Sequence, residues 1–530
     1  MLILPYKSPS MPALPIRIFT FLILFSLSAA AQQRPNIIFI MSDDHDADAI
    51  SAYNTTLTST PNIDRIAKQG MLFKRAFVGN SICSPARATL LTGQHSHKNG
   101  VVDNHTRFDS SKITLPKLLQ QAGYQTALVG KWHLHSYPTG FNYWDILVNV
   151  GQYYHPKFIH MTGDTSLIDG YATDIITDKA IQWLDTVNKQ KPFMLMVHHK
   201  GPHRNFFPQA KHLRQFQSRT FPEPPTLFAD TTGKGSAWRI QTMNILTDME
   251  LCIDLKVDPA YLQDNPELKP SAAQVAGYHA NMRRVPEPER TQIKEMYAAR
   301  GKLLQQTKPT GRELLRYKYQ WYMQDYMATV AAIDDNVGTL LDYMKTHDLE
   351  KNTIVVYTSD QDFYLGENGW FDKRWMYDVS MHTPFMIKWP GKIKPATVNN
   401  DLVQNIDFAP TLLDLAAVTP PSFMQGISLK SLLLNGEKSL PRKYLYYHYY
   451  EYPEKYHQVL PHLGIRGTRY KLIYFYTVDE WELYDLQHDP CEQHNLAHDK
   501  QHQALLQQMK KDLGEVRSQY DDHAPAGSLK

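Results

Sequence analysis

The residues with most to say about chemistry are Cys83-Ser84-Pro85-Ala86-Arg87, continuing through Leu90 to Thr92-Gly93. Ser84-Pro85 is a helix-start signal, because proline fits the first turn, where its missing N–H costs no hydrogen bond. Cys83 therefore stands at a helix N-terminus. Free backbone N–H groups and the helix dipole make that a place where anions settle. Arg87 lies one turn further on, on the same face.

Two acidic groups could hold a metal. Asp43-Asp44 follows the apolar run Asn36 to Met41, and Asp360-Gln361 follows Thr353 to Tyr357. Together they offer three carboxylates and an amide oxygen, and an all-oxygen set suits a hard cation, Ca²⁺ or Mg²⁺. Three basic groups also follow strand-like runs: Gly130-Lys131-Trp132-His133, His199-Lys200-Gly201-Pro202-His203-Arg204 and Phe371-Asp372-Lys373-Arg374. If they converge they form an anion site, since an anionic ester needs cations and N–H donors around its oxygens.

These residues must be positioned by an α/β framework. Asn36 to Met41 is nearly all apolar, the pattern of a strand buried on both faces. Thr60-Pro61 opens a short helix with Thr60 as cap, and Gly70 closes it. A helix over Leu115 to Gln121 leads to the strand Thr126 to Val129. A helix with Ile176, Ala180, Trp183, Leu184 and Val187 on one face leads to the strand Phe193 to Val197. The stretch from Arg204 to Arg312 reads as a long insertion over the active face. A helix carrying Val330, Ile333, Val337, Leu340 and Leu341 precedes the strand Thr353 to Tyr357. Alternating strands and helices imply a large, mainly parallel sheet flanked by helices, with its sites beyond the carboxyl ends of the strands. After the Pro-rich linker near Thr419 the pattern changes. Tyr444 to Tyr450, Tyr470 to Tyr476 and Trp481 to Tyr484 read as strands, and Gln501 to Tyr520 as a helix. This is a smaller C-terminal α+β domain with an antiparallel sheet.

The stretch from Cys83 to Gly93 resembles the signature of type I sulfatases, Cys-x-Pro-Ser/Ala-Arg-x4-Thr-Gly. The resemblance runs from Arg34-Pro35-Asn36 to Leu483-Tyr484-Asp485 and Asp489-Pro490. It implies an alkaline-phosphatase-like fold and a sulfuric ester hydrolase. It implies that Cys83 is converted to 3-oxoalanine (formylglycine) by a formylglycine-generating maturation enzyme. The hydrated aldehyde offers one hydroxyl to attack sulfur and a second to expel sulfate. Asp43, Asp44, Asp360 and Gln361, with the modified Cys83, are the implied ligands of Ca²⁺, in preference to Mg²⁺. Arg87 belongs to the signature itself. Lys131 and Lys373 are implied to bind sulfate, His133 to assist the formylglycine hydroxyl, and His203 to protonate the leaving oxygen. His198 and His199 are rivals for that last role, but His203 in Lys-x-Pro-His matches the motif. Asp362 stands where the family often has glycine.

The aromatic, His-rich segment Tyr447 to Pro453 and the run Gln361 to Trp375 are similar to those of bacterial polysaccharide sulfatases related to N-acetylglucosamine-6-sulfatases. The substrate expected is a sulfated polysaccharide or oligosaccharide, with His457 and His462 reaching the sugar pocket from the small domain. A sulfated deoxyhexose, such as the rhamnose of an algal ulvan, is the alternative sugar. The other functional readings are a phosphatase or phosphonate monoester hydrolase of the same superfamily, and a non-catalytic carbohydrate-binding relative.

Bulk properties agree with an exported, folded enzyme. Lys7 and Arg17 precede the apolar run Ile18 to Leu27, and Ala29-Ala30-Ala31 follows. This is the form of a cleavable secretory signal, whether translation starts at Met1 or Met11, and the run is short for a stable membrane span. The expected organisation is a signal peptide over 1–31, a catalytic domain over 32–435 and a smaller domain over 436–530. The expected location is periplasmic or secreted. Losing Lys7 and Arg17 takes the formal charge from +3 to +1, which gives no attraction to nucleic acid. Cys83, Cys252 and Cys491 allow at most one disulfide.

When a maturation enzyme is present, the tryptic peptide ending at Arg87 should carry CHO in place of CH₂SH, as read by mass spectrometry. Cys83→Ala should abolish turnover with the fold intact. Full activity with an unmodified thiol would contradict this.

Overall fold

The computed structural model describes residues 1–10, 34–232, 234–436 and 439–523. Most of the expected signal segment, and the residues 437–438 beside the expected domain boundary, lie outside these. No described helix is long and apolar enough to cross a membrane.

The strand Asn36–Asp43 is the centre of a ten-stranded sheet. It pairs in parallel with Thr353–Ser359 on one side and Phe193–Pro202 on the other. Gln125–Gly130 and Tyr143–Leu147 extend the parallel set beyond Phe193–Pro202. The sheet is mixed only towards its margins. Phe385–Lys388 runs antiparallel to Thr353–Ser359, and Lys157–His160 antiparallel to Tyr143–Leu147. Residues 37 to 41 are all fully buried, which explains their unbroken apolar run. Side chains alternate between faces of a strand. Ile37, Phe39 and Met41 pack with Leu90, Leu115, Leu119 and Phe408, and Ile38 and Ile40 with Ile176, Leu184, Ile333 and Leu340. Helices thus cover both faces.

Local details differ from the sequence pattern in three places. The first helix spans Ile63–Lys68, capped not by Thr60 but from a distance. Asp334 accepts the N–H of Asn62 and of Ile63 at 3.0 and 2.8 Å, while the Thr60 hydroxyl bonds to Asp64. The helix expected around Val330 is a 36-residue rod, Gly311–Thr346, about 54 Å long. The strand Phe193–Pro202 runs five residues past Val197. Its charged end, His198-His199-Lys200, is buried with it. The insertion before the rod folds into the helices Ala210–Phe216, Ser236–Ile240, Ala272–Arg284 and Glu289–Thr307.

A four-stranded antiparallel meander follows, Leu445–Tyr449, His462–Arg466, Tyr470–Phe475 and Glu480–Asp485. One face, with Leu445, Tyr447, Tyr449, Ile473 and Phe475, packs on Phe77, Ile82, Trp370, Trp375 and Tyr377 of the large sheet's loops. Its other face, with Tyr446, Leu463, Ile465 and Leu472, is covered by the helix Gln503–Gln519.

The second strand of this meander corrects an expectation. His462 is its first residue and is fully buried. Its ring lies among Tyr447, Tyr449, Trp375 and Phe475, with centroids 4.9 to 5.9 Å away. Nε2 accepts the Met376 N–H at 3.0 Å, and Nδ1 donates to the Leu460 carbonyl at 2.8 Å. Both ring nitrogens are committed, and burial holds the imidazole neutral with a pKa near 3. His462 is a core histidine and does not reach a sugar pocket. His462→Ala should therefore cost stability, about 2–4 kcal/mol for the lost volume and the orphaned Met376 N–H. A urea titration checks this, and an unmoved midpoint would contradict the burial.

Candidate active site

Parallel pairing brings the acidic groups together. Ser42 stands opposite Ser359, so Asp43-Asp44 and Asp360-Gln361 leave neighbouring strands at the same end. Asp44 adopts a left-handed conformation, φ 63°, and its N–H donates to Asp360 Oδ1 at 3.1 Å. Carboxylate oxygens of Asp43, Asp44 and Asp360 all lie within 4.8 Å of one another, and all three residues are buried.

The helix Cys83–Thr92 points its N-terminus at this cluster, and its N-cap Ile82 offers no side-chain partner. Cys83 Sγ is 3.6 Å from Asp43 Oδ1 and 3.8 Å from Gln361 Nε2. Burial pushes the thiol pKa up to about 12. Arg87, 2% exposed, donates through Nε and Nη2 to Asp360 Oδ2 at 3.1 and 2.9 Å, and through Nη1 to the Lys131 carbonyl. Lys131 binds Asp43. Lys373 reaches both oxygens of Asp44, at 2.6 and 2.5 Å. Burial opposes the ionisation of Asp43, but Lys131, His203, Arg87 and Lys373 outweigh it and hold its carboxyl well below the usual range. Asp360 goes the other way: burial, then the charge of Asp43, raises it to about 7.

The donor set fits a hard cation. Three carboxylates converge, and burial, with the charge of Asp43, pushes two of them, Asp44 and Asp360, towards their protonated forms. Gln361 donates from Nε2 to Asp44 Oδ1 and Asp360 Oδ1 at 2.6 and 2.9 Å. Its Oε1 is buried without a partner. Turning the amide over would offer that oxygen to the cluster instead. Asp362 stays outside: it accepts the Ala47 N–H and pairs with His382 at 2.7 Å, which accounts for a side chain at this position.

Above the cluster opens a cleft of about 880 Å³. Cys83, Asp44, Lys373, His133 and His203 all line it, whereas His198 and His199 do not. His198 Nδ1 donates to the Lys131 carbonyl at 3.1 Å. His203 Nδ1 donates to the Arg204 carbonyl at 2.5 Å, which leaves the Nε2 lone pair facing the site, 3.7 Å from Asp44. Burial holds its pKa well below the usual histidine value. His133 sits in a left-handed turn, φ 55°, and its Nδ1 is buried and unpartnered.

His457 lines the cleft, within a triad that the sequence reading missed. Arg374 bonds to Asp372 at 2.5 Å and donates to His457 Nε2 at 2.7 Å. His457 Nδ1 lies 3.0 Å from Asp372. Glu451 stands 3.8 Å from Arg374. Asp372 and Arg374 flank Lys373 in sequence, but their run reads only as a basic cluster. The acid directly before the two cations was the available signal.

The description "Sulfatase" fits residues 35–418 as a family model. The chain belongs to the sulfatase family. A second model, "N-sulphoglucosamine sulphohydrolase, C-terminal", matches residues 366–519. The sulfatase is 43% identical to an N-acetylglucosamine-6-O-sulfatase of Bacteroides thetaiotaomicron, over 98% of this chain and 92% of the relative. It is 25% identical to an ulvan-active sulfatase of Formosa agariphila, over 92% of this chain and 80% of that one. A solved structure in complex with its substrate D-glucosamine-2-N,6-O-disulfate superposes with a TM-score of 0.88 at 44% identity. It covers 94% of this chain and 100% of its own. The large α/β sheet and small antiparallel sheet expected for the family are those described above, and the sulfatase is a sulfuric ester hydrolase.

Arg87 neutralises two buried carboxylates at once. Arg87→Met should destabilise the fold by about 3–5 kcal/mol, because it leaves Asp360 uncompensated. Chemical denaturation measures this, and a loss below about 1 kcal/mol would show that the pair is not structural.

Proposed function

We propose that this sulfatase removes a 6-O-sulfate from a glucosamine unit of a sulfated glycan, after conversion of Cys83 to formylglycine. The observation that carries the reaction is the placement of Cys83. Its thiol is buried among carboxylates with a pKa near 12, so it is a poor nucleophile as it stands, yet it heads a helix beside cations suited to sulfate. The sugar assignment rests on the 43% relative and on the ligand of the similar solved structure. The same similarity, with the sulfatase family model, favours a sulfate ester over a phosphate or phosphonate.

The hydrated aldehyde supplies the nucleophile and, through its second hydroxyl, the means to expel sulfate. A Ca²⁺ held by Asp43, Asp44, Asp360 and Gln361 would supply positive charge beside the sulfate oxygens. Lys131 and Lys373 flank the residue-83 position from two sides and bind the sulfate group. His133, with its free Nδ1, takes a proton from the residue-83 hydroxyl. His203 Nε2 delivers a proton to the leaving sugar oxygen. Its Nδ1–H bond to Arg204 orients the ring, and Nε2 must first take up a proton, forming the imidazolium, before it can give one. His457, with Asp372 and Arg374, offers directional contacts to sugar hydroxyls. The proposed course is export through the leader over 1–31 to the periplasm or medium, and maturation by a formylglycine-generating enzyme. Residues 32–435 then carry catalysis, with 436–530 behind the sugar wall.

His203→Ala should lower kcat/KM on a 6-O-sulfated glucosamine by about 10²- to 10⁴-fold. An aryl sulfate should suffer far less, because its phenolate leaves without a proton. Equal losses on both substrates would instead assign His203 a positioning role.

A further inference from the structure

Beside the cleft lies a second cavity of about 100 Å³, which shares Val150, Arg204 and Asn205 with it. It is too small for a sugar chain but has room for a side group. Three separate elements build it: the loop after the strand Tyr143–Leu147, the end of the strand Phe193–Pro202, and the end of the helix Ala272–Arg284.

Its lining is one-sided in charge. Lys200, Arg204 and Arg284 face it together with the amides of Gln152, Asn205 and Asn281. No carboxylate is among the described residues that line it. Arg204 is matched by Asp254, at 2.7 and 2.6 Å. Lys200 is not matched. It is 3% exposed, and its one described neighbour of note is the Tyr153 ring, 4.9 Å from the ammonium. Burial pulls its pKa down to about 8, with Asp43 and Asp44 acting only from a distance. A buried cation without a counter-charge is costly unless something supplies one. Arg284, exposed at its helix end, adds a second unopposed charge to the same cavity.

We propose that this cavity is a second anion-binding site, which holds a sulfate, sulfamate or carboxylate carried by the same glycan as the scissile ester. The inference rests on the sugar reading above and deepens it: the preferred substrate is at least doubly anionic. The second anion is either the N-substituent of the same ring or the carboxylate of a neighbouring sugar.

The test compares kcat/KM for three probes on the matured enzyme: N-acetylglucosamine 6-O-sulfate, glucosamine 2-N,6-O-disulfate, and a disaccharide whose uronic acid adjoins a 6-O-sulfated glucosamine. The parent should favour one doubly anionic probe by about ten- to a hundredfold, the range of a charge-assisted contact. Which probe wins identifies the anion. Lys200→Met and Arg284→Ala should both lose the preference, and Arg284→Ala should keep the parental rate on the singly sulfated sugar. No preference in the parent overturns the proposal, as does a preference that survives both variants. So does a change confined to inhibition by added inorganic sulfate, which would assign the cavity to product. If the parent turns over none of the probes, the sugar reading fails by itself. The cavity is then judged by calorimetric binding of glucosamine 2-N,6-O-disulfate, and equal affinity in parent and Arg284→Ala overturns it.

Discussion

Everything in this molecule is arranged around a buried charge balance at the carboxyl ends of three parallel strands. Asp43, Asp44 and Asp360 are removed from water, where three carboxylates so close together could not all stay ionised alone. Arg87, Lys131 and Lys373 make the balance. Each cation comes from a different element: the helix Cys83–Thr92, the turn after Gln125–Gly130, and the loop after Asp360. The charges therefore do more than neutralise the acids. They fix the distance and rotation of the helix that presents Cys83, because moving any one element would strand a charge in the interior.

The balance also explains why the site is built on strands rather than on mobile loops. A parallel sheet delivers residues from distant parts of the chain to one edge with a register set by backbone hydrogen bonds. Ser42 opposite Ser359, and Asp43 opposite Pro202, place three acids, Gln361 and His203 within one small volume. Buried apolar side chains on both faces hold that register. The cost of burying so many polar groups is then offset by mutual pairing and by the helix N-terminus.

The small sheet has a different task. It does not supply the acidic cluster, but its aromatic face packs against Trp370, Trp375 and Tyr377. These lie just around Lys373 and Arg374 in the chain. Packing there, with the Tyr447 hydroxyl donating to the Arg374 carbonyl at 2.6 Å, holds the loop that displays Lys373 to one side and Arg374 with His457 to the other. One rigid loop thus serves both the acidic cluster and the wall of the cleft.

By itself the sequence determined four adjacent strands of the large sheet, the helix start at Cys83 and the acidic and basic groups, because these depend on local pattern: apolar runs, a Ser-Pro signal, charges after strands. It also carried the family signature. What it left undecided were facts of side-chain surroundings. His457 and His462 are five residues apart in one polar, aromatic segment and read alike. The strand that begins at His462 turns its ring inward onto Tyr447 and Phe475, whereas His457 meets Arg374, 83 residues earlier in the chain, and Asp372 from the same loop. Lys200 read as one more charge in a basic cluster, and only the buried end of its strand leaves it unpaired beside the cleft. Alternation along a strand can be read from one segment. Which neighbour fills the space opposite can be decided only when the rest of the chain is packed against it.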